Sequence, residues 1–258
     1  MAWHGDFKLG ANKCNFLEKF QMLTPAHFGA AQSFEVDWGQ QVKSWPMLKN
    51  DQLGNCTIAS LFHLVQAMSS FGGTVDEIQL GTDDEAVRAY TDIDGYNAKD
   101  PSTDQGGDPS HVFHMWLAQG ITIAGVSNMP LAVFRLPVNN IALCRTTLAY
   151  LGPLVLDVAL PIVAQTQDTW AAPAALTGNA APGSWGGHQL ICTRLGASSM
   201  NLPTWDLVKT AELNWWSAYV EQVWAIIHPL WLRAGMAPSG FDFAQLIAFG
   251  SQNLQAAS

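Results

Sequence analysis

Apolar positions divide the chain into a helical first part and a strand-rich second part. Ile58, Leu61, Phe62, Val65 and Met68 fall at offsets 0, 3, 4, 7 and 10, the stripe of a helix packed on one face. The polar turn sequence Asn50-Asp51-Gln52-Leu53-Gly54-Asn55-Cys56 leads straight into it, so Cys56 is expected at a helix N-terminus. Thr82-Asp83-Asp84-Glu85 has capping-box spacing and predicts a second helix running toward Tyr90. A third is bounded by Asp108 as cap, Pro109 at the first helical position and Gly120 as stop, with Phe113, Trp116 and Leu117 as its stripe. Residues 92–107, rich in Asp, Gly and Asn, read as a long ordered loop between the second and third helices. A fourth helix is expected from Asn140 through Leu151, ended by Gly152-Pro153.

Beyond that point the period changes. Residues 154–160, 188–195 and 221–227 are short runs of β-branched or large apolar residues, the pattern of strands. Helices first and strands later imply an α+β class, with a helical lobe facing a mostly antiparallel sheet lobe. Residues 1–45 have little periodicity and read as an extended arm laid over a body; residues 241–249, with Asp242 and Gln245 at capping spacing, predict a short helix. No linker composition divides the chain. The expected organisation is one folded unit over 1–258: an arm at 1–45, a mainly helical lobe at about 46–135, a mainly β lobe at about 136–235 and a tail at 236–258.

Composition narrows the function classes. With 48% hydrophobic and 13% charged residues over 258 positions, general disorder is excluded. A formal charge of -9 with scattered basic residues argues against nucleic acid and anionic lipid as partners. No apolar run approaches the roughly 18–20 residues of a membrane span. Residues 1–10 show no basic segment followed by an apolar one, so no Sec signal is seen and a cytoplasmic or virion-associated protein is expected. The cysteines Cys14, Cys56, Cys144 and Cys192 include no CxxC pair, which leaves a zinc site without ligands. His111 and His114 offer two metal ligands without a third, and no cofactor is expected.

The candidate chemistry is nucleophilic. A thiol at a helix N-terminus is stabilised as thiolate by the helix dipole and unpaired N–H groups, which singles out Cys56. A base is then required. His188 stands in Trp185-Gly186-Gly187-His188-Gln189 at the start of a predicted strand, 188 − 56 = 132 residues on, against roughly 130–150 for papain-type Cys and His pairs.

The chain resembles the papain-like cysteine peptidases, in the manner of a divergent bacterial or phage branch. The family's opening pattern is echoed by Asp37-Trp38, Val42, Asn50, Gln52, Gly54 and Cys56. Gly106-Gly107 before a helix ending in Gly120-Ile121, then Gly152-Pro153-Leu154-Val155, Gly187-His188 and Thr204-Trp205, follow in the family's order. The resemblance implies a two-lobed fold with the active-site cleft between the lobes. It also implies a peptide or amide substrate, Cys56 as nucleophile, His188 as base and the Gln52 side chain as oxyanion donor. The usual Cys-Gly-Ser-Cys-Trp around the nucleophile is missing, and Pro203 stands where the orienting Asn should precede Thr204-Trp205. Asn201 and Asp206 are the nearest side chains for that role, and Asn201, in a predicted turn, is the favoured one. The rival reading is a papain-like fold kept as a binding or structural module, for instance in a phage particle.

Overall fold

The computed structural model describes residues 20–28, 35–72 and 78–230. Three helices come first: α1 (Cys56–Gly72), α2 (Asp83–Asp94) and α3 (Pro109–Gln119). A short hairpin follows, β1 (Ile121–Ile123) with β2 (Val126–Asn128), then β3 (Ala132–Leu136) and α4 (Ile141–Leu151). The remainder is β4 (Leu154–Leu160), β5 (Thr169–Trp170), β6 (Gly186–Cys192), β7 (Arg194–Leu195), β8 (Ser199–Thr204), β9 (Leu207–Glu212), α5 (Leu213–Tyr219) and β10 (Val220–Ile227). Among the described residues these strands make two four-stranded sheets, ordered β3-β10-β4-β6 and β5-β9-β8-β7. Every pairing is antiparallel except β5 with β9. The class is α+β. No described helix is long and apolar enough to cross a membrane.

The caps read from sequence form as expected. Thr82 accepts from the Glu85 N–H while Glu85 returns to the Thr82 N–H, and the same Glu85 carboxylate reaches on to the Ala124 and Gly125 N–H groups at the β1–β2 turn. Asp108 and Asn140 cap α3 and α4, each accepting from first-turn N–H groups.

Two expectations need revision. The apolar stripe predicted a helix buried on one face, yet α1 is buried all round from Cys56 to Ser70. The segment 44–46 covers its polar side, where His63 Nε2 meets the Pro46 carbonyl at 2.9 Å and Gln66 Nε2 donates to the Ser44 carbonyl at 2.8 Å. A polar side chain whose bonds are met by backbone can be buried at little net cost. The predicted strand at 188–195 is two strands: the chain leaves the first sheet after Cys192, and Thr193 N–H donates to the Asn201 carbonyl as it enters the second.

The described parts of the arm lie across the body. Residues 20–23 run alongside β3, with Leu23 N–H donating to the Arg135 carbonyl and Arg135 N–H to the Gln21 carbonyl. Phe20 enters the core edge-on to Phe113 and Trp224. The short helix expected at 241–249 lies outside the described residues.

Candidate active site

The turn before Cys56 is shaped by side-chain amides. Leu48 and Lys49 take left-handed backbone angles, φ 58° and 59°, which costs energy at non-glycine residues and must be held by the surroundings. Buried Asn55 supplies part of the hold: its Nδ2 donates to the Leu48 carbonyl at 2.9 Å, and its Oδ1 accepts from Asn50 Nδ2 at 3.1 Å. Because that side chain is turned back into the loop, it does not cap α1, and Cys56 begins the helix with the positive end of the dipole behind it. Cys56, Cys144 and Cys192 are buried thiols outside any disulfide. Burial pushes Cys144 up to about 12 and Cys192 higher still, so both are inert at neutral pH.

Gln52 is exposed, and its Nε2 donates to the Asp51 carboxylate at 3.3 Å while its backbone closes the turn on Lys49. The carboxamides buried in the turn before Cys56 are those of Asn50 and Asn55. Asn50, which shares the family-like pattern with Gln52, is the buried one of the two.

His188 is fully buried on β6. Its Nε2 lies 2.7 Å from Thr204 Oγ1, and its ring stacks on Trp205 with centroids 4.8 Å apart and planes 20° from parallel. Trp205 in turn stacks on half-buried Trp185 and meets Trp170 edge-on. Trp205 holds a left-handed φ of 53° as the first loop residue between Thr204 and Leu207, which pair across the β8–β9 hairpin. That strained turn sets the indole over the imidazole. His188 Nδ1 has no hydrogen-bond partner, so a proton on Nε2, donated to Thr204, leaves the Nδ1 lone pair available. Burial, with neighbouring His63 adding to it, pushes the imidazole down to about 3, and the ring is neutral at pH 7.

The expected orienter must be corrected. Asn201 pairs with Arg194 in the β7–β8 ladder, and its Nδ2 donates to Asp37 Oδ2 at 2.8 Å, fastening the arm to the sheet. Asp206 is exposed at the hairpin tip. The residue on His188 is Thr204, adjacent to Trp205, a hydroxyl where the family-like expectation was an amide. Strand alternation explains the outcome: Asn201 and Thr204 are three apart on β8 and face opposite sides.

α1 and β6 face one another. Ser60 Oγ, one turn along from Cys56, donates to Gln189 Oε1 at 2.7 Å, and Gln189 follows His188 on its strand. A second wall lies beside the turn. Asp104 Oδ1 accepts from the Gly54 N–H at 3.0 Å and from Tyr90 Oη at 2.8 Å, and Tyr90 Oη accepts from the Gly106 N–H. Gly107 fits because it lacks a Cβ, which would come within 2.3 Å of Thr57 Oγ1 and 2.9 Å of Asp94 Oδ2. Burial, with the Asp108 carboxylate nearby, pushes Asp94 up to about 7. His111 Nε2 is spent near the Ile93 carbonyl at 3.2 Å, and among the described residues no group of three His, Cys, Asp or Glu side chains could hold a metal.

No family model and no curated protein matches the sequence. Solved structures do. Xylellain, a cysteine protease from Xylella fastidiosa, superposes with a TM-score of 0.65 at 12% identity, covering 88% of this chain and 98% of that one. The fold is papain-like. Procathepsin L 3 of the Tenebrio molitor larval midgut superposes at 0.58 with 11% identity, over 84% of this chain and 75% of that one. ProCathepsin B S9 from Trypanosoma congolense gives 0.57 at 12%, over 85% and 86%. The papain-like fold is therefore a helical lobe and an antiparallel sheet lobe, as the order of motifs implied.

Proposed function

We propose that the protein is a cysteine-dependent peptidase or amidase working through an acyl-enzyme, with Cys56 as nucleophile and His188 as base. The observation that carries this reading is the state of His188: a buried, neutral imidazole with Nε2 engaged by Thr204 and Nδ1 unspent, on the strand packed against the helix that Cys56 begins. The first step pairs proton transfer from Sγ to Nδ1 with attack of sulfur on the substrate carbonyl. The oxyanion forms at the N-terminus of α1, where the Cys56 N–H contributes; Gln52 joins only if its side chain leaves Asp51 and turns inward. His188 then returns the proton to the leaving amine, and the carbon–nitrogen bond breaks. Water attacks the thioester, losing its proton to Nδ1, and the acid departs as sulfur recovers it. The substrate class is a peptide or amide; an amine in place of water gives acyl transfer.

Thr204 does this work differently from a carboxamide. A hydroxyl can donate or accept, so it permits both imidazole tautomers where an amide oxygen, which only accepts, would fix one. A second reading has its own support: Cys56 and His188 are both 0% exposed, as in a fold kept for binding or structure. Hydrolysis of fluorogenic peptides separates the two. Native protein should cleave, Cys56→Ala should fold with unchanged near-UV dichroism and show no turnover; a native protein inert to every peptide, or an active Cys56→Ala, overturns the hydrolase reading.

A further inference from the structure

Beneath the site runs a buried chain of polar side chains that the proposed chemistry does not use. Ser60 Oγ donates to Gln189 Oε1 at 2.7 Å, Gln189 Nε2 donates to Asp157 Oδ1 at 2.7 Å, and Trp224 Nε1 donates to Asp157 Oδ2 at 2.8 Å. Ser60, Gln189, Asp157 and Trp224 are 2%, 2%, 5% and 0% exposed. The four belong to α1, β6, β4 and β10, so the chain ties the nucleophile's helix to three strands of the first sheet. Asp157 and Gln189 are directly opposed in the β4–β6 ladder, which places both side chains on the sheet face toward Ser60.

We propose that Gln189 and Asp157 are positioning residues: their hydrogen-bonded chain sets the register of α1 against β6, and so the separation of Cys56 from His188. This rests on the hydrolase reading above. Ser60 lies about 6 Å along the helix from Cys56, and Gln189 about 3.8 Å from His188 along the strand, so a slip of either element at this bond is carried to the reacting pair. Apolar side chains would hold the lobes together as well, since buried polar groups add little net stability. A directional chain does something packing does not. Gln189 Nε2 and Trp224 Nε1 are both held on Asp157, while Ser60 Oγ also lies 3.0 Å from the Thr57 carbonyl of its own helix; a displaced α1 leaves the buried Gln189 oxygen unmet.

The donor and acceptor order makes this testable by exchange. Gln189→Glu alone sets two carboxylates face to face, whereas Asp157→Asn alone is met only if the Gln189 amide turns over and Ser60 accepts from it while donating to the Thr57 carbonyl, which reverses the order of the chain. In the double variant Asp157→Asn/Gln189→Glu, the new amide donates to the new carboxylate and its oxygen accepts from Trp224, while Ser60 still finds an acceptor. We expect Gln189→Glu to lower kcat for peptide hydrolysis roughly 10–100-fold with KM changed less than about 3-fold, and Asp157→Asn to lower it by a smaller factor. Each should also slow iodoacetamide alkylation of Cys56 across the pH profile, and the double variant should recover to within about 3-fold of native. Gln189→Met, which keeps volume but takes a donor from Asp157, serves if a charged variant fails to fold; it should still fold and should lose kcat. Losses that multiply in the double variant, or a change in melting temperature with kcat and the alkylation profile unmoved, overturn the positioning role. A native Cys56 no more reactive than Cys144 overturns the hydrolase reading and the positioning role with it, whereas a reactive Cys56 with a profile shared by all variants overturns the positioning role alone.

Discussion

On the helical side of the site, Tyr90, Asp94, Asp104 and Asp108 gather around Gly106 and Gly107; on the sheet side, Trp170, Trp185 and Trp205 gather around His188. His188 is fully buried and Asp94 half-buried, and both surroundings favour the neutral form of the group they enclose. The consequence has opposite sign on the two sides: Asp94 rises to about 7 and His188 falls to about 3. One wall thus holds an acid that keeps its proton near neutrality, and the other an imidazole that is neutral there. Burial, reinforced by Asp108 on one side and His63 on the other, gives the two sides of the site different chemistry.

The largest expected effects strike the aromatic wall. Replacing His188 by Ala should remove at least about 10³-fold of peptide turnover, since no other described base stands on β6 beside α1. Thr204→Val keeps the shape and removes the hydroxyl; about 10–100-fold of turnover should go, and Thr204→Asn, which restores an acceptor, should recover most of it. Equal rates for Thr204→Val and native protein would show that Trp205 alone holds the ring.

Stability should report the difference between the walls next. His188 and His63, pushed down to about 3 and about 4 from 6.5, bind fewer protons folded than unfolded. Their contribution is complete above pH 6.5 and is lost as pH falls toward 4. Asp94, raised from 3.8 to about 7, acts the other way: its contribution is present below about 3.8 and is lost as pH rises through 7. Between pH 6.5 and 4 two groups oppose one, so urea melts should show stability falling by roughly 1.4 kcal/mol per pH unit on acidification. A flat profile would mean that the histidines are hydrated. Asp94→Asn should remove that opposition, so the variant should gain stability over native protein at pH 8 and little at pH 4.

The two sides also differ in how much of them could be read from the chain. The helix that starts at Cys56, the caps at Thr82, Asp108 and Asn140, and the strand at 154–160 rest on contacts within a few residues, and periodicity reports those directly. His188 was found by its spacing from Cys56. Its partner was not, because the contact with Thr204 depends on how β8 lies against β6, and a one-residue difference of register along β8 changes which side chain arrives. Short strands such as β7 and β5, two residues each, carry too little pattern to be seen. Asn201 has the right chemistry for an orienter, but the arm's Asp37, 164 residues away, claims it. Long-range pairing decides such matters, and local pattern does not encode it.

The central claim is that Cys56 and His188 act together as nucleophile and base. It is tested most directly by the rate of iodoacetamide alkylation at each thiol, followed by mass spectrometry from pH 5 to 9 in native protein and in His188→Ala. The account predicts that native Cys56 reacts faster than Cys144 and Cys192 at every pH, and that His188→Ala slows Cys56 while leaving the other two unchanged. Cys56 reacting at the same rate with and without His188 would contradict it.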